Sequence, residues 1–443
     1  MIKLNKRVKV LLGVLRVIGI QSYIVGGAVR DYYLGIESDD IDICLTGVTS
    51  LKDIEPILSA HSDGMASNVG KSFSVTILTI DGQKYDFALA RTEQSTGPRH
   101  QDVTVSVIGV SIAQDLVRRD LTINAMAFDT KTGELIDLFN SHQHLMNKVA
   151  HPTSDAFSND PLRAVRAPRF ISKYNLIPSK RLVELCTKAD LTHLSAERIG
   201  GELEKMLKQA KNPSKFFHFL RKCNQLEHWF PEVHNMIGVQ QDPVWHPEGD
   251  VYDHTMCTMD QATDPFIRMV MLCHDMGKVS TTEFIDGKWK APGHAKEGVK
   301  PALALMKRLK FMNSSYQQSV TTLIYNHMFH TNTKFTPRAV KRCIRRLTPF
   351  ATFEQLVEVC RCDVSGRPPL EPHTPYIGQD IAATAIIKNQ IERVVTGKML
   401  IEKGILPSRK MGAMLQLFED KQDEELLSID NWETFFNEFN HLT

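Results

Sequence analysis

The sequence predicts an α+β fold in which a small mixed sheet occupies roughly the first third of the chain and the remainder is helical. Three observations carry this. The 443 residues exceed what one hydrophobic core supports, so two to four domains are expected. From Tyr23 to about Asp137, short β-rich runs (YIVGG, IDICL, FSVTILTI, YDFALA, ELIDLF) alternate with turn residues and helix-like stretches. From about Asp160 onward such runs almost vanish, and RLVELCTKA, ERIGGELEKMLKQA and PSKFFHFLRKCNQL space their apolar residues by three and four. Stretches rich in Pro, Gly and His at Val239 to Gly249 and Gly366 to Pro375 are the candidate boundaries within the helical part.

Composition narrows the class. Apolar residues make up 42% and charged residues 23%, the balance of a folded globular chain rather than a disordered or fibrous one. No window approaches the roughly 20 apolar residues of a membrane span. The segment Met1 to Val14 lacks a cleavage-type ending, so a soluble cytoplasmic protein without membrane partners is expected. The eight cysteines are scattered, and Cys360 and Cys362 lack the two-residue spacer of a zinc or redox motif, which favours reduced structural thiols. With a net charge of only +2, a nucleic-acid partner has to be met by local basic patches.

The first candidate site begins in the run DDIDICL. Asp40 and Asp42 alternate with Ile41 and Ile43, so on a strand both carboxylates project from one face while the isoleucines enter the core. Two like charges that close call for a cation, and hard oxygen ligands suit Mg2+, which also binds triphosphate oxygens. Upstream, YIVGGAVRD puts Gly26 and Gly27 between an apolar strand and a helix start, where backbone N–H groups can face phosphate oxygens; Arg30 falls in the first helical turn.

The motifs GGAVRD, DID, YDFALARTE, RRDLTINAMAFD, DPLRAVRAPRF and ERIGGELEKML, in this order, resemble those of class II tRNA nucleotidyltransferases (CCA-adding enzymes) and the related bacterial poly(A) polymerases. The resemblance implies a palm-like nucleotidyltransferase head followed by a helical neck and body, acting on tRNA with CTP and ATP. It implies that Gly27 and Arg30 bind triphosphate, that Asp40 and Asp42 hold Mg2+ and are catalytic, and that Arg119 of the RRD motif contacts nucleotide. Asp160 and Arg163 match the pair that replaces a nucleic-acid template, and Arg166 and Arg169 match further nucleotide-binding positions. The chemistry of that pair follows independently. A and C both present an amino donor beside a ring-nitrogen acceptor, whereas G and U present a carbonyl beside an N–H, so one carboxylate plus one guanidinium accepts the first two bases and rejects the others.

Two positions depart from the family pattern. Asn159 stands where an acidic residue usually precedes the templating Asp, which predicts weaker orientation of Arg163; Pro168 is expected to kink the helix that carries Arg163, Arg166 and Arg169. Asp86 either supports the metal carboxylates from a neighbouring strand or is an exposed strand residue. The polar segment Thr92 to Gln101 reads as a flexible loop.

Nine of the seventeen histidines lie between His218 and His330, which points to a second site in the middle of the chain. The motifs HPEGDVYDHT, CHDMGK and CDVSGR contribute His254, His274, Asp275 and Asp363, a mixed imidazole and carboxylate set suited to a divalent transition metal. They resemble the HD-type metal-dependent phosphohydrolases, and their place behind the first domain resembles the multifunctional CCA proteins of some bacteria. The resemblance implies that these four residues bind metal (Ni2+ or Mg2+), that Lys278 lies near a substrate phosphate, and that phosphomonoesters or 2′,3′-cyclic phosphates are hydrolysed. His294 and His327 are further candidates.

The expected division is thus a head at 1–140, a helical neck and body at 141–238, an HD domain at 239–370 and a helical tail at 371–443, in a monomer or homodimer. Basic surface for tRNA is available at Lys205, Lys208, Lys211, Lys215, Arg221 and Lys222 and in KRCIRR from Lys341. A poly(A) polymerase and an inactive RNA-binding or nucleotide-binding homologue are the competing readings.

Overall fold

A computed structural model describes all residues except 1, 39, 65, 70–74, 96, 98–102, 332–336, 372–392, 424–425 and 443. The fold is the predicted α+β one. The chain divides into two compact units, residues 1–234 with 308–311, and residues 235–307 with 312–443.

The first unit is built on a seven-stranded mixed sheet. Its strands are β1 (Gln21–Val25), β2 (Asp40–Thr46), β3 (Ser67–Val69), β4 (Val75–Ile80), β5 (Gln83–Leu89), β8 (Met126–Asp129) and β9 (Leu135–Asp137), in the order β3-β4-β5-β2-β1-β8-β9. The central β2 runs antiparallel to β1 and parallel to β5. Alternation does what the sequence predicts: Ile41 and Ile43 are buried, while Asp40 is exposed and Asp42 half-buried on the other face. On that second face Tyr23, Val25 and Cys44 pack with Ile112 and Leu116 from the Ile112–Val117 helix, forming an apolar floor behind the carboxylates.

Thr92 to Gln101 is not simply a loop. β6 (Thr92–Ser95) pairs antiparallel with β7 (Val103–Ser106), and the intervening residues 96 and 98–102 lie outside the described ones. β6 (TEQS) is wholly polar and carries no hydrophobic alternation; the Val103 and Val105 alternation of β7 is the one local sign of the pair. The helix that contains Pro168 is continuous from Arg163 to Tyr174 and ends at Asn175 in the left-handed conformation.

The second unit is helical, with a short strand pair at Glu283–Ile285 and Lys288–Lys290. Its helices include Val251–Gln261, Pro265–Cys273, Ser314–Asn326 and Phe353–Ser365. In the tail, helices Gly397–Glu402, Arg409–Asp423 and Trp432–Leu442 share a core of Leu400, Met411, Met414, Phe418, Trp432 and Phe439. All eight cysteines are free. Among the described residues, no helix is long and apolar enough to cross a membrane.

Candidate functional site

In the first unit a cavity of about 600 Å³ opens on the Asp40 and Asp42 face of the sheet. Gly26, Gly27, Arg30, Asp40, Asp42, Arg119, Asp160, Arg163 and Arg166 all line it. Gly26 adopts φ +70°, and a Cβ there would lie 3.1 Å from both Asp42 Oδ2 and Arg119 Nη1. A side chain would therefore crowd the carboxylate, which is why the turn needs glycine. Burial pushes the Asp42 carboxyl up to about 6, with Asp40 and Asp86 adding to the rise against the pull of Arg119. A cation beside this carboxylate would relieve that cost. Asp86 is the cross-strand neighbour of Asp42, on the same face of the parallel pair, and burial followed by Asp40 raises its pKa too.

The arginines are held by a connected set of carboxylates. Arg30 is buried, paired to Asp31 (2.8 Å), bonded through Nη1 to Asn124 Oδ1 (2.5 Å) and stacked 4.6 Å over the Tyr174 ring. Asn124 in turn donates to Asp120 Oδ1 (3.0 Å), and Asp120 Oδ2 pairs with Arg166 (2.9 Å). Burial alone would raise the Asp120 pKa, but Arg166 and these hydrogen bonds hold it below the usual carboxylate range. Arg118 and Arg119 both reach Asp115 (2.6 and 2.9 Å), on the helix that Ser111 and Gln114 begin with a capping box.

Asp160 and Arg163 share the cavity but are positioned by different partners. Asp160 pairs with Arg198 (3.1 Å), whereas Arg163 donates to the Ala156 carbonyl (2.7 Å) and lies 3.8 Å from Glu93. The Asn159 side chain reaches the backbone carbonyl of the same Glu93 (3.5 Å). Arg198, Glu93, Asp120 and Lys173 therefore join the cavity wall without having been singled out in the sequence. Glu93, Asp120 and Arg198 lie within YDFALARTE, RRDLTINAMAFD and ERIGGELEKML, the strings that could have found them; Lys173 lies outside every such string.

Arg169 is the exception among the expected residues. It is buried, paired with Glu202 (2.5 Å) and 4.2 Å over the Phe170 ring, and it does not line the cavity. A spacing of three lags the helical period by roughly 60° per step, so the row 163, 166, 169 winds off the cavity, while 163, 166, 170 and 173 stay on it.

The second unit brings together His254, His274, Asp275 and Asp363 of the HD motifs. His254 Nε2 lies 3.1 Å from Asp363 Oδ1 and 3.4 Å from His274 Nε2. Asp275 stands between two groups: its Oδ2 is 3.3 Å from His274, and its Oδ1 is 3.4 Å from His294 and 3.8 Å from His327. Ligand atoms of His254, His274 and Asp363 form one set within 4.8 Å, and those of Asp275, His294 and His327 form another. His294 and His327 are therefore full members of the cluster.

The tautomers explain why these side chains want a cation. Nδ1 of His274, His294 and His327 faces the backbone carbonyls of Met271, Ala291 and Ile324 (2.7, 2.8 and 2.6 Å), and Nδ1 of His254 faces Glu248 Oε1 (2.6 Å). The ring N–H of His274, His294 and His327 donates from Nδ1 to those carbonyls, leaving Nε2 as the lone-pair atom, with His294 and His327 only 3.1 Å apart. Both Asp275 oxygens are buried without a well-aligned hydrogen bond, although Lys278 stands 2.8 Å from Oδ2. Burial pushes the His327 imidazole down to about 3, keeping it neutral, as a ligand must be. Asp363 also accepts Arg367 (3.0 Å) and lies 3.7 Å from His330. Glu248, which no motif reading assigned, serves His246 (2.9 Å) and His254 together, and these partners outweigh burial to bring its carboxyl to about 2.

Comparison with known proteins matches two family models within the first 237 residues. The family model for the poly A polymerase head domain matches residues 22–151, and that for the probable RNA and SrmB-binding site of polymerase A matches 184–237. The multifunctional CCA protein of Laribacter hongkongensis is 35% identical over 361 residues, covering 79% of this chain and 85% of that protein. That of Haemophilus influenzae is 33% identical over 417 residues, covering 87% and 96%. The crystal structure of the Bacillus stearothermophilus CCA-adding enzyme in complex with CTP has the same fold, with a TM-score of 0.67 over 95% of this chain and 94% of that one, at 19% identity. The Thermotoga maritima CCA-adding enzyme complexed with tRNA matches over 95% and 92% with a TM-score of 0.59 at 20% identity.

Proposed function

We propose that this chain, which belongs to the family of the multifunctional CCA proteins, adds C, C and A to the 3′ end of tRNA from CTP and ATP, and also hydrolyses phosphate esters at a separate metal site. The observation that carries the first activity is the single cavity into which eight expected residues, Gly27, Arg30, Asp40, Asp42, Arg119, Asp160, Arg163 and Arg166, all converge.

In this reading Asp160 and Arg163 accept the Watson–Crick edge of C or A. The Gly26 and Gly27 turn admits the triphosphate, and Arg30 and Arg119 offset its charge. Asp40 and Asp42 hold Mg2+, which when bound supplies charge neutralisation at the triphosphate and activation of the RNA 3′ hydroxyl. The domain division keeps the head at 1–140, the neck and body at 141–238, the HD region at 239–370 and the tail at 371–443. For the hydrolytic site, the converging Nε2 atoms and the Asp275 oxygens, buried without a well-aligned hydrogen bond, support a divalent metal, Ni2+ or Mg2+, which would supply an activated water. Lys278 and Arg367 are the cations placed to meet a substrate phosphate.

The test is to incubate tRNA lacking its 3′ end with CTP and ATP, separately and together. Ordered addition of C, C and A that then stops supports the reading; a long A tract means a poly(A) polymerase, and no incorporation means a binding protein. Asp42→Ala should abolish incorporation, on the order of 1,000-fold or more, with the circular dichroism unchanged. An active, folded Asp42→Ala protein would remove Asp42 from the chemistry.

A further inference from the structure

The cations of the nucleotide cavity differ in one respect. Every arginine that lines it already faces a carboxylate: Arg30 faces Asp31 (2.8 Å), Arg91 Glu93 (2.9 Å), Arg118 and Arg119 Asp115, Arg163 Glu93 (3.8 Å), Arg166 Asp120, and Arg198 Asp160. Lys173 also lines the cavity, yet it has no carboxylate partner among the described residues. Its Nζ rests 5.1 Å from the centre of the Tyr174 ring. A cation without an ion-pair contact in a concave wall is where an anionic ligand group gains most, because no salt bridge has to be displaced.

The placing of Lys173 along its helix says which part of a ligand that would be. Arg163 opens the helix at the base-selecting end. Ten residues at 1.5 Å each put Lys173 roughly 15 Å further along, on the same stripe. At that end Tyr174 donates to Asp31 (3.2 Å) and carries Arg30 on its ring, so Lys173 stands beside the helix that follows the Gly26 turn. Burial, then Arg30, lower the Lys173 pKa, with Asp31 and Asp40 pulling the other way, which sets the same neighbours around its ammonium.

We propose that Lys173 is a further nucleotide-binding residue, and that it holds the β- and γ-phosphates of the incoming triphosphate at the end of the cavity remote from the base. This rests on the nucleotidyltransferase reading. A contact to those phosphates serves CTP and ATP alike and leaves the choice of base to Asp160 and Arg163.

The experiment compares wild type, Lys173→Ala, Lys173→Gln and Lys173→Arg. It measures binding of CTP and of CMP, and the KM for CTP, ATP and tRNA. Losing one charge-assisted contact should weaken CTP binding and raise both nucleotide KM values about 10- to 100-fold. CMP binding, the tRNA KM and base choice should be unchanged, and Lys173→Arg should recover most of the loss. Unaltered CTP binding in a folded Ala or Gln variant overturns the proposal. Equal weakening of CMP and CTP overturns it too, since the lost contact is then not at the outer phosphates. A rise confined to the tRNA KM would assign Lys173 to the RNA backbone instead. Wild type that incorporates no nucleotide would overturn the parent reading, a result distinct from all of these.

Discussion

Arg163 shows how a single side chain can be oriented from an unexpected direction. The residue before Asp160 is Asn159, so the acidic neighbour usual at that position is missing, yet Arg163 is not left without a carboxylate: Glu93 lies 3.8 Å away and is itself fixed by Arg91 (2.9 Å) and Arg118 (3.0 Å). Asn159 ties to the same strand through the Glu93 carbonyl. Burial lowers the Arg163 pKa, and Asp120, Asp160 and Glu93 are the charges that counter it. If Glu93 takes over the orienting role, Glu93→Gln should reduce discrimination of CTP against UTP by roughly tenfold, about 1.4 kcal/mol, while leaving the KM for tRNA unchanged. Asn159→Glu in that background should restore it. Undiminished selectivity in the Glu93→Gln enzyme, measured by competing the two nucleotides, would show that the Ala156 carbonyl alone suffices to orient the guanidinium.

At the scale of elements, the close approach of two short helices shapes the second site. Gly277 precedes the Lys278–Thr281 helix, and a Cβ on it would lie 2.0 Å from the His294 carbonyl and 2.5 Å from Gly298 N. Its backbone is ordinary right-handed helix, so the demand for glycine is steric. Gly277→Ala must push His294 and Lys278 off the cluster. It should cost about 1–3 kcal/mol in the unfolding of the second unit and reduce hydrolysis, whereas Gly412→Ala, with open space around it, should do neither. Calorimetry of both variants checks this, and equal stability of the two would mean the helices can part freely. None of that packing is legible in CHDMGK or GHAKEG, because it depends on two segments meeting across seventeen residues. What was legible had a local period or a compact motif: β2 from the alternation in DIDICL, the helical region from spacings of three and four, and the cluster from the HD strings. The pairing of the all-polar β6 with β7 and the contact of Glu93 with Arg163 join residues distant in sequence, and the departure of Arg169 rests on small angular drift along a helix, so none of the three is read off a local period.

On the scale of the whole molecule, the cavity on the Asp40 and Asp42 face is lined, among the described residues, only by residues of the first compact unit, and every histidine and aspartate of the His254–His274–Asp275 cluster belongs to the second. The tail helices of the second unit carry a core of their own. Two sites with no shared side chain should have independent chemistry, because removing a ligand from one deletes no contact from the other. Replacing His274 and Asp275 together by Ala should therefore lower hydrolysis of 2′,3′-cyclic phosphates and phosphomonoesters by at least about 100-fold, since it takes one ligand from the first metal group and the residue between the two groups. Addition of C, C and A to tRNA by the same protein should stay within about twofold of wild type. The same preparation is assayed for both reactions, with and without a chelator followed by Ni2+ or Mg2+. Parallel loss of the two activities in a folded double variant would refute separate sites, and restoration of hydrolysis by added metal would refute the ligand roles of His274 and Asp275.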